Sequence, residues 1–312
     1  YEIGRGVEQS WEEAVRWYGA AARQGMPRAQ CNLAWCYEHG QGVEQSSARA
    51  VYWYRKAAEQ EDLRGLFCVG VCWKQGIGVE QNWEEAVRWY EKAAVGGYAP
   101  AQCSLGLCYE RGEGVGRDPA QAAKLYRQAS EQGDPVGACS LGYLYEEGEG
   151  VERDLTQAVW LYRKAAEQEY APALCALGRC YETGSGVVKN QQHAVELYRR
   201  GAEAGDAEGQ YRLGRCYYDG AGLPADFGQA AQWLERAAEQ GSRQGQFLLG
   251  QCYEKGTGVP RDPKKARELY QSAADQGSEP ARAALERLES GKSDGPKSRP
   301  GHGFLKGLFG GR

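Results

Sequence analysis

The stretch Ala101-Gln102-x-x-Leu105-Gly106-x-x-Tyr109-x-x-Gly112-x-Gly114-Val115, followed by Ala122-Ala123-x-Leu125-Tyr126-x-x-Ala129, decides how this chain is read. Its landmarks recur. Gly6, Gly42, Gly78, Gly114, Gly150, Gly186, Gly222 and Gly258 stand 36 residues apart with no insertion or deletion. Val follows seven of them, and Leu223 follows Gly222. A second glycine precedes each by two, from Gly4 and Gly40 to Gly256. A further column is alanine throughout: Ala14, Ala50, Ala86, Ala122, Ala158, Ala194, Ala230 and Ala266. Unbroken columns at a fixed period are the mark of a repeat array, in which each unit is one small supersecondary element.

Each unit reads as two helices. Between Ala29 and Asp62 the first helix runs from Ala29 to His39, with Ala29, Leu33 and Tyr37 on one stripe. Gly40 ends it, and the loop Gly40-Gln41-Gly42-Val43 is expected to use positive φ at its glycines. The second helix starts after a column that reads Ser10, Ser46, Asn82, Asp118, Asp154, Asn190, Asp226 and Asp262, each a preferred N-cap. Pro119 and Pro263 follow that column at the first helical position, where proline is tolerated. The stripe Ala50, Trp53, Tyr54, Ala57, Ala58 comes next, and most units stop at a glycine such as Gly25, Gly97 or Gly241. The alanine column, with Gly70, Gly106, Gly142, Gly178, Gly214 and Gly250, lets helices approach closely. Aromatic columns (Trp17, Trp53, Trp89 and Tyr37, Tyr109, Tyr145, Tyr181) are expected to fill the space between them. One helix pair cannot bury both of its faces, so stability comes from stacking neighbours.

These residues resemble the Sel1-like repeat, a member of the tetratricopeptide-like α-solenoids. The resemblance covers residues 1–291. It implies an all-α, right-handed superhelical solenoid of antiparallel helix pairs, used as an adaptor that assembles other proteins. On this reading residues 1–291 form one solenoid of about eight repeats, the first truncated and the last a cap. Tyr1, Glu2 and Gly4 match Tyr37, Glu38 and Gly40, so the chain opens part-way through a unit. At the other end Glu286 stands where glycine belongs and Glu289 where tyrosine belongs, as suits a terminal helix whose outer face meets water.

Residues 292–312 read as a flexible basic Gly/Pro/Ser tail, too poor in apolar residues for a core. Its tip, with Phe304, Leu305, Leu308 and Phe309, is either a solubilising end or a short docking motif. The tail carries +4, so the overall charge of −4 leaves the body at about −8. An acidic body argues against a broad nucleic-acid surface, which needs a basic stripe to release counterions. No stretch approaches the roughly 20 consecutive apolar residues of a membrane helix. Nor does the segment from Tyr1 to Glu13 contain the apolar run of a leader.

Eleven cysteines invite a metal or disulfide reading, but their placement argues for something else. Cys31, Cys103, Cys139 and Cys175 share one repeat column; Cys36, Cys72, Cys108, Cys180, Cys216 and Cys252 share another. Other units place Phe67, Tyr211, Phe247, Leu144 or Leu288 there, so the columns behave as small hydrophobic slots. Pairs five apart on a helix lie about 8–9 Å apart at Cα, whereas a bridge needs less than about 7 Å. Only Cys68 and Cys72, four apart, come near that range within a helix. Buried free thiols, and with them a reducing cytoplasmic compartment, are the expectation. One branch of the resembled family is secreted, cysteine-rich and disulfide-stapled, and is reported to bind penicillin. Its cross-links need a different cysteine spacing, and the chain has neither Ser-x-x-Lys nor a Gly-x-Ser-x-Gly elbow. A hydrolase of that β-lactamase-like branch is the alternative reading, and a structural protein that assembles with itself is a third.

The remaining motifs are weak. Gly112-x-Gly114 imitates half of a dinucleotide fingerprint, but it occurs in every unit with no strand before it. Gly291-Lys292-Ser293 lacks the upstream glycine of a phosphate loop, since Glu286 is there. His39, His193 and His302 are too scattered to ligate a metal. No catalytic residue, metal or cofactor is expected.

In related solenoids the first helices line the concave groove, so their outward columns are the natural contact set. One column reads Trp35, Val71, Leu107, Tyr143, Arg179, Arg215, Gln251; its neighbour reads Asn32, Cys68, Ser104, Ser140, Ala176, Arg212, Leu248. The early part is aromatic and aliphatic, the later part cationic, and Arg, Tyr and Trp usually dominate interface energy. The expected function is a non-catalytic, monomeric scaffold for a protein or peptide. An apolar stretch would meet Trp35, Val71, Leu107 and Tyr143, and an acidic or phosphorylated stretch would meet Arg179, Arg212 and Arg215.

Overall fold

The computed structural model describes residues 8–289, which form sixteen α-helices and no strand. They divide into two compact units between Ala204 and Gly205. The first unit holds α1 (Trp11–Arg23), α2 (Pro27–His39), α3 (Ser47–Ala58), α4 (Leu63–Gln75), α5 (Trp83–Val95), α6 (Ala99–Arg111), α7 (Pro119–Glu131), α8 (Pro135–Glu147), α9 (Leu155–Ala166), α10 (Ala171–Thr183) and α11 (Gln191–Glu203). The second holds α12 (Ala207–Asp219), α13 (Phe227–Glu239), α14 (Arg243–Lys255), α15 (Pro263–Asp275) and α16 (Glu279–Glu289). Within each unit every helix packs on the one after it. This is the all-α repeat solenoid the spacing predicts. The basic tail and its apolar tip lie outside the described residues, as do residues 1–4, where the first repeat was expected to be truncated.

Local chemistry fixes the helix starts. Every member of the predicted capping column accepts a backbone N–H at the head of its helix, for example Glu85 N–H to Asn82 Oδ1 at 3.0 Å. A second capping column went unread. Asp62, Asp134, Asp206 and Ser242 cap the even-numbered helices in the same way, and where Met26, Tyr98 or Tyr170 stands there instead, no side chain caps the helix. The even-numbered helices also begin earlier than the apolar stripe suggests, α2 at Pro27 rather than Ala29.

The loop glycines behave as expected, with φ of 67° at both Gly40 and Gly42. At the turn that closes each repeat, two units depart from glycine. Glu61 and Glu169 hold φ of 59° and 57°, where Gly25, Gly97 and Gly133 stand elsewhere in the first unit. Side chains resist that conformation. Glu169 has an ion pair to Arg200 at 2.7 Å; nothing in the structure explains Glu61.

The core is built on a close approach that the small-residue columns imply. In the first unit a Cβ placed on Gly70, Gly106, Gly142 or Gly178 would fall 2.6–2.7 Å from ring carbon Cε1 of Tyr90, Tyr126, Tyr162 or Tyr198. In the second unit Gly250 meets Tyr270 at 2.7 Å, while Gly214 faces Leu234. Each of these rings is buried, and burial of a large side chain stabilises by roughly 2 kcal/mol. The space beside each glycine is thus filled by this tyrosine, 20 residues further on. Of the predicted aromatic columns, Trp53, Trp89, Tyr37, Tyr109, Tyr145 and Tyr181 pack around the core while staying partly exposed, whereas Trp17, 62% exposed, does not fill the space between helices.

Candidate functional site

The even-numbered helices of the first unit present the expected contact column as a partly exposed row. Trp35, Val71, Leu107 and Arg179 are half-buried and Tyr143 is exposed, while Leu33, Val69, Leu105, Leu141 and Leu177 on the same helices are buried. Of the neighbouring column, Asn32, Cys68, Ser104 and Ser140 are half-buried and Ala176 is buried. The row is therefore a surface, and its members differ in what already covers them.

Trp35 lies in an aromatic stack. Its ring centroid is 5.6 Å from Trp11 and 4.4 Å from His39, nearly parallel to the latter. A cleft of about 120 Å³ opens beside it, lined by Trp11, Tyr18, Asn32, Trp35, Cys36 and Arg64, with the Arg64 guanidinium donating to Asn32 Oδ1 at 3.0 Å. Tyr143 packs edge-on against Tyr162 at 5.3 Å, and the Arg179 guanidinium lies 5.8 Å from the Tyr143 ring centre.

The arginines of the predicted cationic zone are engaged inside the protein. Arg179 Nη2 donates to Glu146 Oε2 at 2.6 Å. In the second unit Arg212 Nε donates to Glu208 Oε1 at 2.6 Å, with its side chain only 13% exposed. Arg215 lies over the Tyr211 ring at 5.8 Å, and Gln251 is half-buried.

Sequence reasoning passed over a ladder along the same face. Glu38, Glu110, Glu146 and Glu182 stand 36 or 72 residues apart near the ends of α2, α6, α8 and α10. Each accepts the hydroxyl of a buried tyrosine 16 residues on: Tyr54, Tyr126, Tyr162 and Tyr198 donate at 2.6–2.8 Å. Tyr270 and Glu254 repeat the pair in the second unit at 2.7 Å. Burial, with the carboxylate behind it, pushes the hydroxyls of Tyr126 and Tyr162 far above their ordinary range. They donate and do not ionise. The fixed period of both columns was the available signal.

The cysteines are unbridged, ten of them buried and Cys68 half-buried. Cys31 Sγ faces Asp62 Oδ1 at 3.6 Å, and Cys103 Sγ faces Asp134 Oδ1 at 3.4 Å. Burial raises the thiols of Cys108, Cys180 and Cys252 from 9.0 to about 11, and those of Cys68, Cys72 and Cys139 to about 12. A thiol held protonated is a poor nucleophile and a poor metal ligand. Among the described residues no group of three or more His, Cys, Asp or Glu is arranged to hold a metal.

The raised thiols make stability depend on alkaline pH. Above pH 9 the unfolded chain releases thiol protons that the folded chain keeps to about pH 11. Their contribution is therefore whole below pH 9 and is lost as pH rises towards 11. The slope is about 1.4 kcal/mol per pH unit for each thiol. The urea midpoint is expected to hold between pH 7 and 8.5 and to drop steeply by pH 10. At pH 8 a thiol-specific chromogenic reagent should modify Cys68 first and the rest only on unfolding. Rapid native labelling of Cys108 or Cys180 would contradict this burial.

The repeat reaches beyond this chain. The Sel1 repeat model matches residues 1–26, 27–62, 68–98, 99–134, 135–170, 171–206, 207–242 and 243–278. A Sel1 repeat protein from Oxalobacter formigenes is 33% identical, covers 88% of this chain and 79% of its own, and superposes with a TM-score of 0.68. A protective antigen of uropathogenic Escherichia coli displaying an SLR fold is also 33% identical, covering 89% of this chain and 68% of its own at a TM-score of 0.62. No curated protein matches the sequence. No described helix is long and apolar enough to cross a membrane. With the repeat matched along nearly the whole solenoid, and two relatives sharing a third of their residues over most of both chains, the protein belongs to the Sel1 repeat family.

Proposed function

We propose that this Sel1 repeat protein is a non-catalytic adaptor whose even-numbered helices hold an extended segment of a partner protein. The observation that carries this reading is the row Trp35, Val71, Leu107, Tyr143. It stays partly open to solvent on four successive even-numbered helices, although the residues two before each member are buried. Large apolar and aromatic side chains at one register suit a continuous ligand better than isolated exposure does.

In its finer form the partner offers apolar side chains to this row and acidic or phosphorylated residues to Arg179 in the first unit and to Arg212 and Arg215 in the second. Such a group at Arg179 or Arg212 must compete with Glu146 or Glu208 for the guanidinium. The reducing compartment inferred from the free thiols is the setting we propose, with the protein acting as a monomer.

The test is capture from a lysate of the source cell with three baits: wild type, a Leu107→Ala/Tyr143→Ala double variant, and Trp160→Ala on an odd-numbered helix, where the ring is 57% exposed. A discrete partner held by wild type and Trp160→Ala, and reduced about tenfold or more on the double variant, is the expected result. A partner retained equally by all three baits would remove the row from the binding surface.

A further inference from the structure

The protein itself places a guanidinium on the glutamate ladder at Glu146 and at Glu254. At both, the covering residue stands 33 positions later, on the next even-numbered helix. At Glu146 that residue is Arg179, which reaches Oε2 at 2.6 Å while Tyr162 holds the same oxygen from the core side. At Glu254, in the second unit, it is Arg287, whose Nη2 reaches Oε1 and Oε2 at 2.6 and 2.7 Å while Tyr270 donates to Oε2. The same spacing from Glu38 and Glu110 arrives at Val71 and Tyr143, which carry no cation. Those two half-buried carboxylates accept Tyr54 at 2.7 Å and Tyr126 at 2.8 Å, and no lysine or arginine among the described residues pairs with either. Lys74, which stands in the ladder between them, directs its ammonium over the Trp83 ring at 5.4 Å.

We propose that Glu38 and Glu110 are receptor positions for the guanidinium groups of an arginine-bearing segment of a partner protein, bound as Arg179 and Arg287 are bound to Glu146 and Glu254. The inference rests on the adaptor reading and names the chemistry of the partner. Each position offers a carboxylate already oriented by a tyrosine hydroxyl, so little ordering remains for the ligand to impose. An aromatic residue also stands at a related position for each, Trp35 three residues before Glu38 on α2 and Tyr143 33 residues after Glu110, the spacing at which Arg179 reaches Glu146; a guanidinium or its methylene stem can lie on either ring. Arginine suits this geometry better than lysine, whose ammonium is more strongly hydrated and does not stack. Packed helices lie about 8–10 Å apart, so two repeats separate the positions by about 20 Å. An extended chain covers that in about six residues.

The probe is a fluorescein-labelled Gly/Ser peptide with two arginines six positions apart and a leucine between them, titrated by fluorescence polarisation against the full chain at about 150 mM salt. The comparison peptide carries citrulline, a neutral isostere, at both arginines. Glu38→Gln and Glu110→Gln keep an acceptor for Tyr54 and Tyr126; Glu147→Gln, on an exposed carboxylate, controls for net charge. Saturable binding is expected, weakened about tenfold or more by citrulline and about fivefold or more by either ladder substitution, with Glu147→Gln unchanged. Arg179→Met, which uncovers Glu146, should tighten binding several-fold. Equal binding of the arginine and citrulline peptides overturns the proposal, as does equal weakening by Glu147→Gln or no binding at peptide concentrations near 1 mM. The two readings fail separately: a captured partner that depends on Leu107 and Tyr143 but not on Glu38 or Glu110 leaves the adaptor standing without its arginine sites.

Discussion

Gly150→Ala is expected to destabilise the protein by roughly 3 kcal/mol or more, while Gly133→Ala, 17 residues earlier, costs about 1 kcal/mol. Both glycines sit in the left-handed region, with φ of 66° and 88°, so alanine is strained at either. The surroundings separate them. A Cβ on Gly133 meets nothing within 4 Å, whereas one on Gly150 would fall 2.2 Å from the carbonyl carbon of Pro119 and 2.4 Å from its oxygen. Those atoms are backbone at the head of α7, tied down by Asp118, whose side chain accepts the N–H groups of Ala120 and Gln121. They cannot rotate away as a side-chain end would. Relief requires the loop after α8 to lift off α7, which opens the seam between adjacent repeats. Urea denaturation of the two variants reads the difference, and hydrogen exchange should place the loss around α7 and α8. Equal midpoints for the two variants would show that the seam yields and that only the dihedral angle matters.

That contrast explains why so much of this fold could be read from the chain. A residue whose place is dictated by backbone contact with the neighbouring repeat, such as Gly150, allows no substitute, so its column is unbroken. Capping positions tolerate a small set of side chains chosen by one hydrogen bond, and that column too was readable. The even-numbered caps were harder, because Met26, Tyr98 and Tyr170 interrupt Asp62, Asp134 and Asp206, and a column with exceptions does not announce its purpose. That Trp35, Val71, Leu107 and Tyr143 stay partly open to solvent was legible, since helical period settles which residues point away from the core. The state of its charges was not legible. Nothing in the spacing of Arg179 says that Glu146, 33 residues back and on another helix, lies within 2.6 Å. Nor does Arg212 declare its turn-away partner Glu208, although an i,i+4 pair on a helix is a standing possibility. Charge pairing across repeats depends on the rotation between neighbouring helices, and that rotation is a property of the packed structure.

Glu146→Ala is the second substitution expected to have a large effect, about 3 kcal/mol, and the reason lies in what it abandons. The carboxylate, 15% exposed, receives Tyr162 from the core and Arg179 from the next repeat. Without it the Tyr162 hydroxyl is left buried with no acceptor at that place, a loss of about 1–3 kcal/mol. The Arg179 guanidinium also loses its counter-charge in a half-buried position over Tyr143. Breaking a fully buried pair costs about 3–5 kcal/mol, but the Arg179 side chain is 34% exposed and water can recover part of that. Arg179→Met should cost less, about 1 kcal/mol, because Glu146 keeps Tyr162 and sits near enough to the surface to hydrate. Combining Glu146→Leu with Arg179→Met removes both charges together and fills the space with apolar atoms. The double variant should then be less destabilised than Glu146→Leu and Arg179→Met added, with a coupling of about 1–2 kcal/mol in a double-mutant cycle followed by urea denaturation. Additive single effects, with coupling below about 0.5 kcal/mol, would mean that Glu146 stabilises through Tyr162 alone. Arg179 would then be only loosely held by the fold, and the cation zone read from the sequence would regain its strength as a binding surface.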